Sequence, residues 1–98
     1  MDAIVWRFAV KAGRRAEFEE HYGPHGTWAR FFAQAPEFVR TELLRGGGNE
    51  YLTIDTWTSA EAFLSFRDAH RAEYDALDRR FEVLTEAEER VGVFEPVA

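Results

Sequence analysis

The 98-residue sequence predicts an α+β fold of the ferredoxin-like type, β-α-β-β-α-β, with one four-stranded antiparallel sheet and its helices on one face. Three observations carry this. Four segments of β-branched and aromatic residues, at 3–10, 37–44, 51–57 and 90–94, read as strands. Two stretches with apolar gaps of three and four lie between the first and second and between the third and fourth of them. The connections are short, and the usual crossover handedness then leaves few topologies. A chain of this length builds one core, so residues 1–98 are expected to form a single domain.

In chain order, residues 3–10 (AIVWRFAV) place Ile4, Trp6, Phe8 and Val10 on one face and Ala3, Val5, Arg7 and Ala9 on the other. Gly13 suits a turn that needs positive φ. A short helix over 14–22 follows, with Phe18, His21 and Tyr22 at helical spacing, and Gly23-Pro24 breaks it. Pro24 can open a second helical piece through about 35, with Trp28, Phe31, Phe32 and Ala35 on its apolar side. The second strand (37–44) leads through Gly46-Gly47-Gly48-Asn49, a hairpin connection, into the third.

The rest of the chain is organised around residues 51–84. The strand YLTIDTW ends where Thr58 and Glu61 offer a capping box, T-x-x-E. From there Phe63, Phe66, His70, Tyr74, Leu77, Phe81 and Leu84 predict one long amphipathic helix. Thr85 to Glu88 offer a second capping box and a helical turn before the last strand, 90–94. Apolar residues also fall on the sheet's second face, among Val5, Val39, Leu43, Leu52 and Ile54 on one reading of the alternation. Covering them by pairing two sheets face to face predicts a homodimer.

Composition narrows the function. A net charge of −6 without a basic stripe argues against nucleic acid or an anionic membrane as partner. No cysteine is present, which removes disulfides, thiolate metal sites and a thiol nucleophile. No apolar run approaches membrane-spanning length and no signal pattern opens the chain, so the expected location is the cytoplasm. His21 and His25 have i, i+4 spacing, but Gly23-Pro24 between them destroys the shared helical face, and no metal site is expected.

The segments WRFAVKAG, EFEEHYGPHGTWARFF, TELLRGGGNEYLTIDTW and LTEAEERVGVFEP together resemble the antibiotic biosynthesis monooxygenase family, whose fold is the dimeric α+β barrel. The resemblance implies oxidation of a polycyclic phenolic, anthrone- or quinone-type metabolite by O2 with no cofactor. It also implies an aromatic cavity, a base or proton shuttle and fixed donors. The candidates are His70, Trp57 and Tyr74 for catalysis, and Trp6, Phe8, Trp28, Phe32 and Phe66 for binding a small hydrophobic or aromatic ligand.

Each candidate has a structural reading beside the functional one. His70 is the one imidazole in the apolar stripe, either base or shuttle, or a histidine hydrogen-bonded at the core edge. Trp57 can stack on a flat substrate or close the core, and Trp28 can wall a pocket or pack. Tyr74 can bind a substrate oxygen or pack. Arg7 and Arg40, inside strands, pair most simply with Asp55 or Glu42. Two other functions stay open, a non-catalytic binder of a hydrophobic molecule and a haem-binding or haem-degrading protein. Against haem, Trp6 stands where the resemblance would place a strand asparagine, and His70 lies about three residues past the axial position.

Overall fold

The computed structural model describes residues 1–97. Strand β1 (Asp2–Val10) is followed by helices α1 (Arg15–Tyr22) and α2 (Thr27–Phe32), strands β2 (Phe38–Arg45) and β3 (Glu50–Trp57), helices α3 (Ala60–Ala69) and α4 (Arg71–Phe81), and strand β4 (Thr85–Phe94). The sheet order is β2-β3-β1-β4, with every neighbouring pair antiparallel. This is the ferredoxin-like α+β arrangement. The Lys11–Arg14 connection turns on Gly13 at φ 81°, and the β2–β3 hairpin uses Gly48 at φ 61°, conformations that cost an L side chain energy.

The helices cover one face of the sheet. Ile4, Phe8 and Val10 point from β1 into the core, and Tyr51 and Trp57 do so from β3, as period-two alternation requires. They meet Phe18 and Tyr22 from α1, Trp28, Phe31 and Phe32 from α2, Phe66 from α3, and Phe81 from α4. The packing is largely ring on ring: Phe18 stacks on Tyr22 at 4.2 Å, and Trp57 meets Phe32 edge-on at 5.5 Å. Among the described residues, no helix is long and apolar enough to cross a membrane.

Four local expectations are corrected. The helix after β3 is capped by Ser59, not Thr58: Ser59 Oγ accepts from the Ala62 amide at 3.1 Å. The Thr58 amide is engaged elsewhere, donating to the Glu37 carbonyl at 2.9 Å, so strand pairing runs one residue further. Asp2 Oδ2 also accepts from the Ala60 amide at 2.7 Å, placing a carboxylate at the helix N-terminus, where the dipole favours it.

The single long helix is two helices, divided at His70, whose φ of −118° and ψ of 34° leave the helical region. The stripe survives the division, since Phe63 and Phe66 before it and Tyr74, Leu77 and Phe81 after it all reach the core. Residues 85–88 are strand, not a helical turn. A single 3-10 turn over Glu82–Leu84 precedes them, and pairing to β1 claims them, with Thr85 opposite Val10 and Glu88 opposite Phe8.

On the second face, Val5 pairs with Ile54 and Leu44 with Leu52. Leu43 is the fourth correction: a register shift between Phe38 and Arg40 turns it to the helix side, where it packs against the core. Leu44 takes the outer position instead, 48% exposed. Arg40 pairs with Glu42, and Arg7 bridges Glu50 and Glu89, so neither arginine reaches Asp55.

Candidate functional site

A cavity of about 110 Å³ lies between the helices and the sheet. Its walls are apolar rings, Trp6 and Phe8 from β1 and Trp28 and Phe32 from α2. Each ring is held by others, which gives the walls fixed orientations. Trp28 meets Phe32 at 5.6 Å and Tyr74 at 5.2 Å, and Phe8 meets Tyr22 at 5.2 Å. Sheet residues Thr41, Thr53 and Asp55 form its polar floor, while Tyr22, Tyr74, Asp78 and Glu88 add oxygens from α1, α4 and β4.

The floor is a product of strand register. Asp55 on β3 stands between Thr41 on β2 and Ile4 on β1, with its side chain on the helix side of the sheet. The Thr41 hydroxyl donates to Asp55 Oδ1 at 2.6 Å. Burial pushes the Asp55 carboxyl up to about 6, and the Thr41 hydrogen bond pulls it partly back. The surface Asp55 retains opens onto the cavity.

The other ionisable groups of the lining shift the same way. Burial raises the Tyr74 phenol, with Asp78 and Asp55 adding to the rise and Arg67 opposing it. Burial raises Tyr22 as well, against the nearby Trp28 N–H. Trp28 Nε1 nevertheless has no hydrogen-bond partner of proper geometry, although the residue is only 8% exposed and lines the cavity. Burial and then Glu82 and Asp75 raise Asp78; burial and then Asp78 and Glu82 raise Glu88. The lining therefore holds three carboxyl groups, two phenols and two indoles, and no cation. Such a site accepts an uncharged aromatic more readily than an anion.

Of the residues singled out from the sequence, Trp6, Phe8, Trp28, Phe32 and Tyr74 come together around this cavity. Trp57, Phe66 and His70 stand outside its lining. Trp57 is fully buried, wedged among Phe32, Phe38, Phe63 and Phe66. Phe66 lies between Trp57 and His70, and His70 hydrogen-bonds the chain at the α3–α4 junction. No imidazole lines the cavity: His21 Nδ1 is 2.8 Å from Thr27 Oγ1, and His25 is exposed. Among the described residues no group of three His, Cys, Asp or Glu side chains is arranged to hold a metal ion.

The sequence alone does not single out six of the lining residues, Tyr22, Thr41, Thr53, Asp55, Asp78 and Glu88, and Asp55 is the most telling of them. A strand aspartate among alternating apolar neighbours was the available signal, and the presence of two strand arginines made a surface ion pair the simpler reading.

The sequence model for antibiotic biosynthesis monooxygenases matches residues 1–74, three quarters of the chain. The chain belongs to the antibiotic biosynthesis monooxygenase family. Among proteins of this family, it is 44% identical over 62 residues to deoxynogalonate monooxygenase of Streptomyces nogalater, a match covering 61% of the chain and 49% of the relative. The chain thus spans about half the length of that curated relative. The crystal structure of SnoaB, a cofactor-independent oxygenase from Streptomyces nogalater, superposes with a TM-score of 0.78 at 31% identity, over 99% of this chain and 93% of the other. MhuD with bound manganese protoporphyrin IX shares the fold at 22% identity and a TM-score of 0.73, over 100% of this chain and 96% of the other.

Proposed function

We propose that this family member is a monooxygenase that oxidises a small phenolic, anthrone- or quinone-type metabolite with O2, the substrate itself supplying the electrons. One observation carries the reading. The helix–sheet space holds an aromatic-walled cavity with a buried carboxyl on its floor, in a chain that aligns end to end with a protein named a cofactor-independent oxygenase.

In this reading, a base removes a proton from an activated CH2 or phenol, and the electron pair stays on the substrate as an enolate. The enolate passes one electron to O2, and the two radicals combine into a carbon-bound peroxide. Protonation and loss of water then turn CH2 into C=O, with one oxygen atom kept and the other released as water. Trp6, Phe8, Trp28 and Phe32 grip the flat rings, which favours offset stacking and edge contacts over non-specific burial. The Trp28 N–H and the un-ionised Tyr74 hydroxyl are donors available to a substrate oxygen as negative charge develops. Trp57, Phe66 and His70 support the wall from behind.

The working unit in this reading is a homodimer. Val5, Leu52 and Ile54, half-buried, and Leu44 and Phe94, more exposed, leave an apolar sheet face that a second copy would cover.

The test is oxygen uptake in metal-free buffer with a panel of anthrones and hydroquinones, run beside Trp28→Ala. Enzyme-dependent uptake that drops in the variant supports the reading. Uptake no faster than autoxidation, over a panel shown to bind by fluorescence quenching, sinks it and leaves a binding protein.

A further inference from the structure

A carboxyl group buried beneath aromatic walls without a cation is costly, because burial penalises its charged form and a neutral hydroxyl repays only part of that penalty. Asp55 is in that position. Its one hydrogen-bond partner is a neutral hydroxyl, Thr41 Oγ1 at 2.6 Å, and that bond occupies only Oδ1. Among the described residues nothing donates to Oδ2, and that oxygen is not sealed from the cavity. For folding alone, a threonine or valine at this strand position would avoid the cost.

We propose that Asp55 is the general base of the site, its Oδ2 taking the substrate proton while Thr41 fixes the carboxylate through Oδ1. The proposal rests on the oxygenase reading for its substrate class, an uncharged aromatic with an acidic C–H or O–H. In the step, the substrate C–H or O–H bond breaks, the Oδ2–H bond forms, and the electron pair remains on the substrate as enolate or phenolate. The base starts negative and ends neutral, so total charge moves from Asp55 to the substrate and no net charge is created in the cavity.

The groups facing Asp55 agree with this assignment. From β1 come only uncharged side chains, Ile4 in register and Trp6 and Phe8 in the lining, and from β2 the neutral Thr41. From α1 and α4 come Tyr22 and Tyr74, both held un-ionised by burial, together with Asp78; from β4 comes Glu88. Arg67 on α3 acts on Tyr74 but not on Asp55, whose shift comes from burial and Thr41. No neighbour competes as a cation. A carboxyl raised to about 6 is still mostly ionised at neutral pH and is a stronger base than an ordinary aspartate.

The experiment separates proton removal from oxygen chemistry. Wild type, Asp55→Asn and Thr41→Val are mixed under argon at neutral pH with dihydroxyanthrone, whose anion absorbs in the visible, and air is then admitted to follow oxygen uptake across pH. Wild type is expected to form bound anion under argon. Asp55→Asn, which keeps the Thr41 contact and the side-chain shape, is expected to lose it and to lower kcat/KM by about 100-fold or more. The rise of kcat/KM with pH, centred near 6 in wild type, should vanish in Asp55→Asn and move to higher pH in Thr41→Val, since the lost bond favoured the charged form.

Equal anion formation by wild type and Asp55→Asn, or an unmoved pH profile in Thr41→Val, overturns the assignment. So does a wild type that binds the anthrone without ionising it. Anion formation without enzyme-dependent oxygen uptake refutes the oxygenase function but leaves Asp55 as the base. Uptake that is the same with and without Asp55 does the reverse.

Discussion

His70 stacks on Phe66 with ring centroids 4.2 Å apart, while its Nδ1 lies 3.0 Å from the Phe66 carbonyl oxygen. For that carbonyl to accept, the proton must sit on Nδ1, which fixes the ring by that nitrogen. The Phe66 carbonyl also receives the His70 amide at 2.9 Å. One oxygen at the end of α3 is thus doubly satisfied by the residue at which the helix breaks.

That pairing predicts a structural effect for His70→Gln and a small catalytic one. Glutamine keeps a donor but loses the stacked ring, so thermal unfolding should shift down by a few degrees, for a cost of about 1 kcal/mol. Oxygen uptake should stay within about threefold of wild type, since a side chain outside the cavity lining has no direct contact to lose. A fall of more than tenfold with unchanged melting would put His70 in the proton path.

Trp57 is expected to show the same balance with a larger structural cost. It is fully buried against four phenylalanines, so Trp57→Ala should cost about 3–5 kcal/mol, read as a drop in the urea midpoint. Trp57→Phe keeps most of the ring contacts and should lose less than half as much. Activity in Trp57→Phe close to that of wild type would mark Trp57 as a support of the wall. An unchanged midpoint in Trp57→Ala would contradict the packing.

The fold was legible because its signals are local. Alternation in residues 3–10, the glycine hairpin and the 63–84 stripe each encode an element without help from distant residues. The misreadings came where distant groups decide. Thr58 lost the cap because the Glu37 carbonyl claims its amide, and residues 85–88 became strand because β1 offered a ladder. The cavity's rings were visible as aromatic residues on core-facing positions. Its carboxyl was not, because Asp55 reads as a surface charge until the register sets it beside Thr41 and beneath Trp28 and Phe32. The spacing of His70 in the stripe was correct, but spacing alone does not show that the chain breaks there.

The sheet's outer face supplies a third prediction. Val5 lies opposite Ile54 and Leu44 opposite Leu52, so a lysine at position 54 would place a charge in the middle of the apolar surface. Wild type should sediment at about twice 11.3 kDa, and Ile54→Lys near 11.3 kDa with its fold retained by circular dichroism. A wild-type monomer at micromolar concentration would refute the face-to-face pairing.

The raised carboxyl of Asp55 also has a consequence for stability, independent of any substrate. Its pKa is about 6 when folded and near 3.8 when unfolded, so between those values the folded state holds the extra proton. Stability from this residue therefore falls as pH rises through that window, the reverse of a salt-bridged aspartate. Above it the penalty is on the order of 2–3 kcal/mol. Asp55→Asn removes the titration while keeping an acceptor for Thr41. The variant should be more stable than wild type at pH about 8, and the advantage should shrink on acidification and disappear below about 4. Asp78 and Glu88 are raised in both proteins, so the difference between the two curves isolates Asp55. Parallel curves from urea titrations across that range would show that Asp55 is not held in an unfavourable charged state. A variant less stable than wild type at high pH would mean that its carboxylate has a stabilising partner in solution.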